Sequence, residues 1–335
     1  MSAVVTRSDG SRQWMRLLAR WETLLLVALI GLIVLGNALS PFFLTPGNFA
    51  NLIAALMEVA IMALPMTLII VAGEIDLSVE SMAGLACALL GFLYAAGVPL
   101  AVAIVVVLAV GALGGLLNGL LVARGGLPSL VVTLGTLALF RGMALIILGS
   151  QGVSDFPPAF REFGFGHVPG TLIPWPFVVF LLLALVLGLA LHRTWLGRQV
   201  YAIGKNAGTA RFSGVRVARV RTGLFVLSGL IAALAGIILT ARLSTSRADA
   251  AEGMTLPVVT VVLLGGVNIF GGSGSLAGAA LGALFLGFIA NALILVGLSQ
   301  FWLQAIYGVV ILVAISADAI ILRRIQRATV ESRAR

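Results

Sequence analysis

Charged side chains are scarce in this 335-residue chain, at 10% of residues against 61% hydrophobic ones. Soluble domains carry about 25% charge, because polar residues must cover much of their surface. A soluble enzyme and a disordered chain are therefore excluded. Cysteine occurs once, as Cys87, which also excludes a disulfide scaffold. The composition predicts an all-α polytopic membrane protein.

Catalytic groups are nearly absent. The two histidines, His167 and His192, lie at or beyond the ends of apolar runs, so an intramembrane Ser–His protease would lack its base. No H-E-x-x-H metal motif and no paired-carboxylate motif for prenyl transfer occurs. The single lysine, Lys205, lacks the flanking Gly and Ser/Thr of a P-loop. We predict a transport protein without metal or cofactor, driven by an ion gradient or by a partner.

Positive charges outnumber negative ones by 21 to 12, a net charge of +9, and they concentrate in three segments. By the positive-inside rule these segments face the cytoplasm. We therefore expect cytoplasmic tails at 1–23 and 323–335 and a cytoplasmic loop at 193–221, within a transmembrane domain at 24–322. Anionic lipid accounts for the basic flanks more simply than nucleic acid does.

Ten apolar runs are long enough to be membrane spans, each of which needs about 20 residues. An even number of spans returns the C-terminus to the side of the N-terminus, and six spans place loop 193–221 on that side as well. The segment 255–272 has a short apolar core followed by glycines, so it is either a full span or a broken, re-entrant helix. The predicted spans are 24–43, 50–72, 79–96, 98–123, 127–148, 172–192, 222–242, 255–272, 275–297 and 301–322.

An internal repeat relates two of these regions. At a shift of 192 residues, Leu64-Pro65, Gly73 and Ile75-Asp76 recur as Leu256-Pro257, Gly265 and Val267-Asn268. Both segments are helices with an early proline, followed by a glycine break carrying a polar residue. Corresponding broken helices in two halves of a membrane protein indicate a transport pathway. The alternative is chance similarity in apolar sequence of low complexity.

A few ionisable residues fall at membrane depth, where each is a candidate for function. The carboxylates between Glu74 and Glu80 either cap the following helix or face the pathway. Arg141 has no acidic neighbour in sequence, so it requires a partner or a wet cavity. We expect Glu58 and Asp318 to be interfacial.

The central loop predicts a capped helix. Asn206 is placed to cap the N-terminus of a short helix at 207–213, and Gly214 its C-terminus. A loop that only joins two spans needs far fewer than its roughly 29 residues. It is therefore interpreted as a docking element for a cytoplasmic partner, the alternative being a basic helix that faces lipid.

Five motifs in order resemble the permease subunits of binding-protein-dependent ABC sugar importers of the ribose, xylose, autoinducer-2 and rhamnose type. Glu74 and Glu80 stand where that family usually has glycine. The motifs are Gly73–Ser81, Asn118-Gly119, Pro128–Thr136 with Arg141-Gly142, Gly197–Ala210, and Leu264–Ser275.

This resemblance implies two permease chains, identical or related, in a bacterial inner membrane. It also implies a separate cytoplasmic ATP-binding subunit at loop 193–221 and a periplasmic sugar-binding protein facing the segment 151–174. The implied pathway residues are Gly73, Asp76, Ser78, Asn118, Ser129, Thr133, Thr136, Arg141, Gly265, Asn268 and Asn291. Those implied for ATPase coupling are Gly197, Arg198, Gly204, Asn206, Ala210 and Gly214. The rival hypothesis is an ion-coupled secondary transporter that uses Asp76 or Glu58 as proton carrier.

The three basic segments generate a topology prediction. Reporter fusions after Arg221 and after Leu322 should both give cytoplasmic signals, whereas a fusion after Asp155 should give a periplasmic one, because positive residues are retained in the cytoplasm. A cytoplasmic signal after Asp155 would contradict the ten-span arrangement.

Overall fold

The computed structural model describes residues 21–299, 301–313 and 316, and its regular elements within these residues are α-helices. The predicted tails before residue 21 and from 323 onward lie outside this part of the chain. The helices are α1 (Trp21–Leu39), α2 (Pro46–Val71), α3 (Val79–Ala95), α4 (Leu100–Ala123), α5 (Ser129–Leu148), α6 (Pro158–Phe165), α7 (Trp175–Arg193), α8 (Trp195–Lys205), α9 (Ala207–Phe212), α10 (Val217–Leu243), α11 (Thr255–Leu264), α12 (Leu276–Leu295) and α13 (Phe301–Val313).

All ten predicted spans coincide with apolar helices in the described residues. Seven of these are long and apolar enough to cross a membrane, and α3, α11 and α13 are shorter. The fold is therefore that of an all-α polytopic membrane protein, as predicted. The segment 255–272 is not a full span: α11 has ten residues, and at about 1.5 Å per residue it covers about 15 Å of a hydrocarbon core about 30 Å thick.

Two helices form the centre of the bundle. Both α2 and α10 are buried along most of their length, whereas α1, α4, α5 and α7 expose most of theirs. The exposed side chains of these outer helices are apolar, such as Val34, Val105 and Ile146. A helix that is apolar on all sides suits a lipid environment. The outer helices therefore separate the central pair from the lipid.

Helices α4 and α10 cross at glycines. A Cβ added to Gly229 on α10 would overlap the carbonyl oxygen of Gly111, and it would lie 2.8 Å from the amide nitrogen of Gly115. Close by, Thr222 Oγ1 donates a hydrogen bond of 3.2 Å to the carbonyl oxygen of Gly119. Small residues allow backbones to approach closely where lipid provides no hydrophobic driving force. The centre of the bundle is therefore fixed by backbone contact.

The two glycine breaks share one backbone geometry. At the end of α2, Gly73 has φ +79° and the amide of Glu74 bonds the carbonyl of Ile69; at the end of α11, Gly266 has φ +79° and the amide of Val267 bonds the carbonyl of Val262. Both are Schellman-type ends.

The conformational partner of Gly73 is therefore Gly266, one residue after the predicted Gly265. Gly265 has φ −65°, and its lack of a side chain serves packing instead. A Cβ added there would lie 2.5 Å from the backbone of Gly278 and Ala279. The expectation that Gly265 supplies the unusual backbone conformation is wrong, although the repeat itself is present.

Helix α10 offers a matched test of the glycine crossing. Gly229→Val should lower stability by about 1–3 kcal/mol, because the added side chain overpacks a backbone contact. Gly223→Val is the control, since a Cβ at Gly223 meets nothing within 4 Å. Thermal unfolding of both purified variants in detergent measures the difference; equal midpoints would show that the crossing tolerates separation.

Candidate functional site

The chain between α2 and α3 is unwound, and we call Gly73–Ser78 the broken segment. Its backbone finds partners on α5: the amide of Ile75 donates to Ser129 Oγ at 3.2 Å, and Thr133 Oγ1 approaches the carbonyl oxygen of Ile75 at 3.5 Å. Unwound backbone persists at membrane depth only where protein or a cavity satisfies its polar groups. Ser129 and Thr133 provide part of that support.

A polar network anchors the broken segment at Asp76, which is 1% exposed. Its Oδ1 accepts from the amide and the hydroxyl of Ser78 at 3.0 and 2.6 Å, and its Oδ2 accepts from Ser228 Oγ at 2.7 Å. Asn118 Nδ2 in turn donates to Ser78 Oγ at 2.9 Å. The network therefore connects α4, the broken segment and α10.

The structure thus brings together five of the predicted pathway residues: Asp76, Ser78, Asn118, Ser129 and Thr133. Ser228 was missed, although a lone serine beside glycine in an apolar run is a signal for a polar contact. Asn118 Oδ1 is buried and has no hydrogen-bond partner among the described residues, so the network retains one free acceptor.

Glu58 lies halfway along α2 and is buried inside the bundle, at 1% exposure. The expectation that it lies at the membrane interface stays a prediction. Glu58 Oε1 accepts a 2.6 Å hydrogen bond from Arg242 Nε on α10. Removing one partner of such an ion pair destabilises the fold, because the other charge would be left buried without a partner. It joins the two central helices. Asp318, the other residue expected at an interface, lies outside the described residues.

The other two carboxylates of this region are also engaged. Glu74 forms a 2.9 Å ion pair with Arg221 near the start of α10. Glu80 accepts a 2.8 Å hydrogen bond from the amide of Thr255, the first residue of α11. Glu80 therefore caps the half-length helix of the second repeat rather than its own helix, and it ties the start of α3 to the start of α11.

Arg141 lies apart from the Asp76 network and forms an ion pair with Glu252, in the loop before α11. The same loop holds a second pair, in which Arg247 Nη2 lies 2.7 Å from Asp249 Oδ2. The hydrogen bond from Arg247 lowers the pKa of Asp249, so this carboxylate stays ionised. Three of these charged residues therefore lie on the loop that leads into α11, and Arg141 contacts that loop from α5.

The remaining predicted pathway residues are dispersed. Thr136 bonds carbonyls of its own helix, and Asn268 Oδ1 accepts from the amide of Phe270 within one turn. Asn291 forms a reciprocal amide pair with Asn48, at 2.9 and 3.0 Å.

Asn291 also lines a cavity of about 320 Å³ between α2, α11, α12 and α13. Its other polar lining residues are Asn51 and Tyr307, while side chains such as Leu56 and Leu286 make most of its wall apolar. The half-helix α11 contributes Pro257 and Val261. A cavity of this volume is large enough for a small ligand.

The end of α8 lies against the first glycine break and against the glycines that follow the second. The amide of Gly272 donates to the carbonyl oxygen of Val71 at 2.9 Å, and a Cβ on Gly204 would overlap that same oxygen. A Cβ on Gly271 would lie 2.9 Å from Gly73 Cα and 3.1 Å from the carbonyl oxygen of Gly204. We call Gly73, Gly204, Gly271 and Gly272 the glycine junction.

Tyr201 adds a side-chain link to this junction. Its hydroxyl donates a 2.7 Å hydrogen bond to the carbonyl oxygen of Gly274. Burial raises the pKa of Tyr201, so the hydroxyl remains a donor. Helix α8 was not among the predicted elements of loop 193–221; the seven-residue spacing of Gly197 and Gly204, which places both on one helix face, was the available signal.

The capped helix of the central loop is present as α9. Asn206 Oδ1 accepts from the amide of Thr209 at 2.9 Å, and Gly214 has φ +84°. Ala210 is buried in a small apolar cluster, whereas Arg198 and Phe212 are exposed, Phe212 at 95%. Helix α10 begins at Val217, so the last residues of the predicted loop 193–221 belong to it.

Ten apolar helices with two matching glycine breaks define a multi-pass membrane transport protein. The family model described as "Branched-chain amino acid transport system / permease component" matches residues 48–315, so the chain belongs to this permease family. The resemblance stated from the motifs is confirmed.

The chain is 39% identical over 272 residues to the autoinducer 2 import system permease protein LsrD of Yersinia enterocolitica, covering 79% of this chain and 82% of that one. The LsrD proteins of Yersinia pseudotuberculosis (strain YPIII) and Yersinia pestis (strain Pestoides F) are 39% and 38% identical, over 79% of this chain and 81% of theirs. No solved structure matches the chain. The chain is a transport subunit, the permease of an ABC importer, and the ion-coupled alternative is not supported.

Gly204 allows the junction to be tested. Gly204→Ala should abolish transport and lower the melting temperature, because a single methyl group must displace either Val71 or Gly272. The control is Gly188→Ala on α7, where a Cβ meets nothing within 4 Å. Uptake and thermal unfolding are measured on both. A fully active Gly204→Ala protein would show that α8 need not touch the breaks.

Proposed function

We propose that this chain forms half of the translocation pathway of an importer for autoinducer 2 or a similar sugar-like molecule. The observation that carries the proposal is the position of α8 against the first glycine break and against Gly271-Gly272, which follow the second. In this arrangement a partner that binds α8–α9 acts on the two repeats together. The relatives named as autoinducer 2 import permeases support the substrate class.

The charge arrangement favours a neutral, hydroxyl-rich substrate over an amino acid, the cargo in the family's description. A zwitterionic substrate would be matched by unpaired charges in the pathway. Among the described residues, Glu58 and Glu74 each bind an arginine, and Asp76 is filled by hydroxyl and amide donors. Uncharged polar groups, the amide of Asn51 and the hydroxyl of Tyr307, line the cavity of about 320 Å³ and are available to hydrogen-bond a sugar there.

The proposal includes the partners and the orientation. A separate ATP-binding subunit docks on α8–α9 at the cytoplasmic side of a bacterial inner membrane, where both termini also lie. A periplasmic binding protein delivers substrate at the opposite face, near α6 and the segment 151–174. A second permease copy or a related chain completes the pathway. The basic residues exposed on α8 and α9, Arg198 and Arg211, support docking of an acidic surface.

The loop generates a test with a closely matched control. Gly214→Pro should release the ATP-binding subunit and reduce uptake by about tenfold or more, because proline cannot adopt φ +84° and lacks the amide that bonds Arg211. Gly97→Pro is the control: Gly97 has φ +83°, bonds the residue three before it, and has open space around it. Copurification of the ATP-binding subunit and uptake of labelled substrate are measured.

Deletion of 207–213 should act as Gly214→Pro does, while the permease still inserts. The outcome that contradicts the proposal is uptake that survives ATP depletion and collapses with a protonophore. Retained copurification in both loop variants would move the docking site away from α9.

A further inference from the structure

Four arginines line a surface hollow of about 420 Å³ where α4 ends and α10 begins. All four side chains are exposed. Arg124 follows the last residue of α4, Arg211 belongs to α9, and Arg216 and Arg219 flank the start of α10. The hollow therefore brings Arg124, at the end of α4, together with three arginines of the consecutive helices α9 and α10.

No carboxylate of the described residues neutralises these four arginines. The ion pairs of the described residues involve Arg141, Arg221, Arg242 and Arg247 and none of the four. Like charges held around one hollow repel each other, and a bound anion removes that repulsion. Arginine presents a planar fork of donors that matches the oxygens of a phosphate group.

The start of α10 adds to the same potential. Helix α10 has 27 residues, and its N-cap residue Arg216 makes no side-chain capping hydrogen bond. The first amides of a helix and its dipole favour an anion at this end. Val217 and Ala218, the first two residues of α10, line the hollow beside the arginines.

Exposed apolar side chains lie near Arg124 along the chain. Leu121, Leu127 and Val131 are within seven residues of it and are 37%, 48% and 64% exposed. Because α4 is long enough to cross the membrane, its end at Ala123 places Arg124 at headgroup level. A ligand that fits both surfaces carries an anionic phosphate and acyl chains.

We propose that Arg124, Arg211, Arg216 and Arg219 bind the phosphate headgroup of an anionic phospholipid, whose acyl chains lie against α4 and α5. The site holds lipid whatever substrate the permease carries; of the four arginines, only Arg211 also belongs to the surface proposed for docking the ATP-binding subunit. A lipid bound there connects the end of α4 to the start of α10, next to the glycine crossing of these two helices. It also connects both helices to α9, within the loop 193–221.

The test is a titration of the delipidated full-length chain in detergent with phosphatidylglycerol, phosphatidylcholine and inorganic phosphate, read by native mass spectrometry. Arg124→Gln/Arg219→Gln should weaken phosphatidylglycerol binding by about 25-fold, since each arginine near an anionic headgroup strengthens binding about fivefold. Phosphatidylcholine binding should stay the same. Arg124→Lys/Arg219→Lys, which keeps the charge, should retain most of the binding.

The charge-matched control is Arg161→Gln/Arg193→Gln, which removes two exposed arginines elsewhere on the chain and should leave phosphatidylglycerol binding unchanged. An equal loss in this control would reduce the effect to net charge and overturn the site. Inorganic phosphate that binds as tightly as the lipid would overturn the lipid assignment. Arg124→Gln/Arg219→Gln protein that keeps phosphatidylglycerol but loses the ATP-binding subunit would assign the hollow to that partner.

Discussion

The hydrogen bonds that support the broken segment are the constraint on which this architecture depends. A membrane offers no water to exposed backbone, so unwinding a helix at that depth requires a protein partner for each freed polar group. Asp76 meets this need for the start of α3 and, through Ser228, also joins the segment to α10. Because these partners come from α4, α5 and α10, the arrangement of those helices follows from the need to support one stretch of six residues.

The second break is supported from another direction. Trp21 Nε1 donates to the carbonyl oxygen of Leu264 at 2.6 Å, and Glu22 accepts from Ser275 Oγ at 2.8 Å. The two repeats thus share a backbone geometry but not their neighbours: one break is enclosed by the centre of the bundle and the other by α1. This difference gives the two halves unequal surroundings.

The sequence predicts the ten apolar helices well, because bilayer thickness limits span length and composition reports burial in lipid. It also predicts the cap at Asn206, a local interaction between neighbours. It does not predict the pairing of Glu58 with Arg242, since nothing local connects residues so far apart. Gly265 and Gly266 are adjacent glycines, so sequence identity cannot tell which one adopts the left-handed conformation. Helix α8 was not predicted because glycine disfavours a helix interior, whereas Gly197 and Gly204 both allow close contact with other backbone.

The glycine junction has a consequence for how force passes through the molecule. Its contacts join backbone to backbone, so no side-chain rotamer can absorb a displacement there. A tilt of α8 would therefore move the end of α2 together with the Gly271-Gly272 segment, with the 11-residue helix acting as a lever arm about 16 Å long. The displacement of the backbone at the glycine junction would then be set by the tilt angle and the length of α8, because the contact itself does not deform.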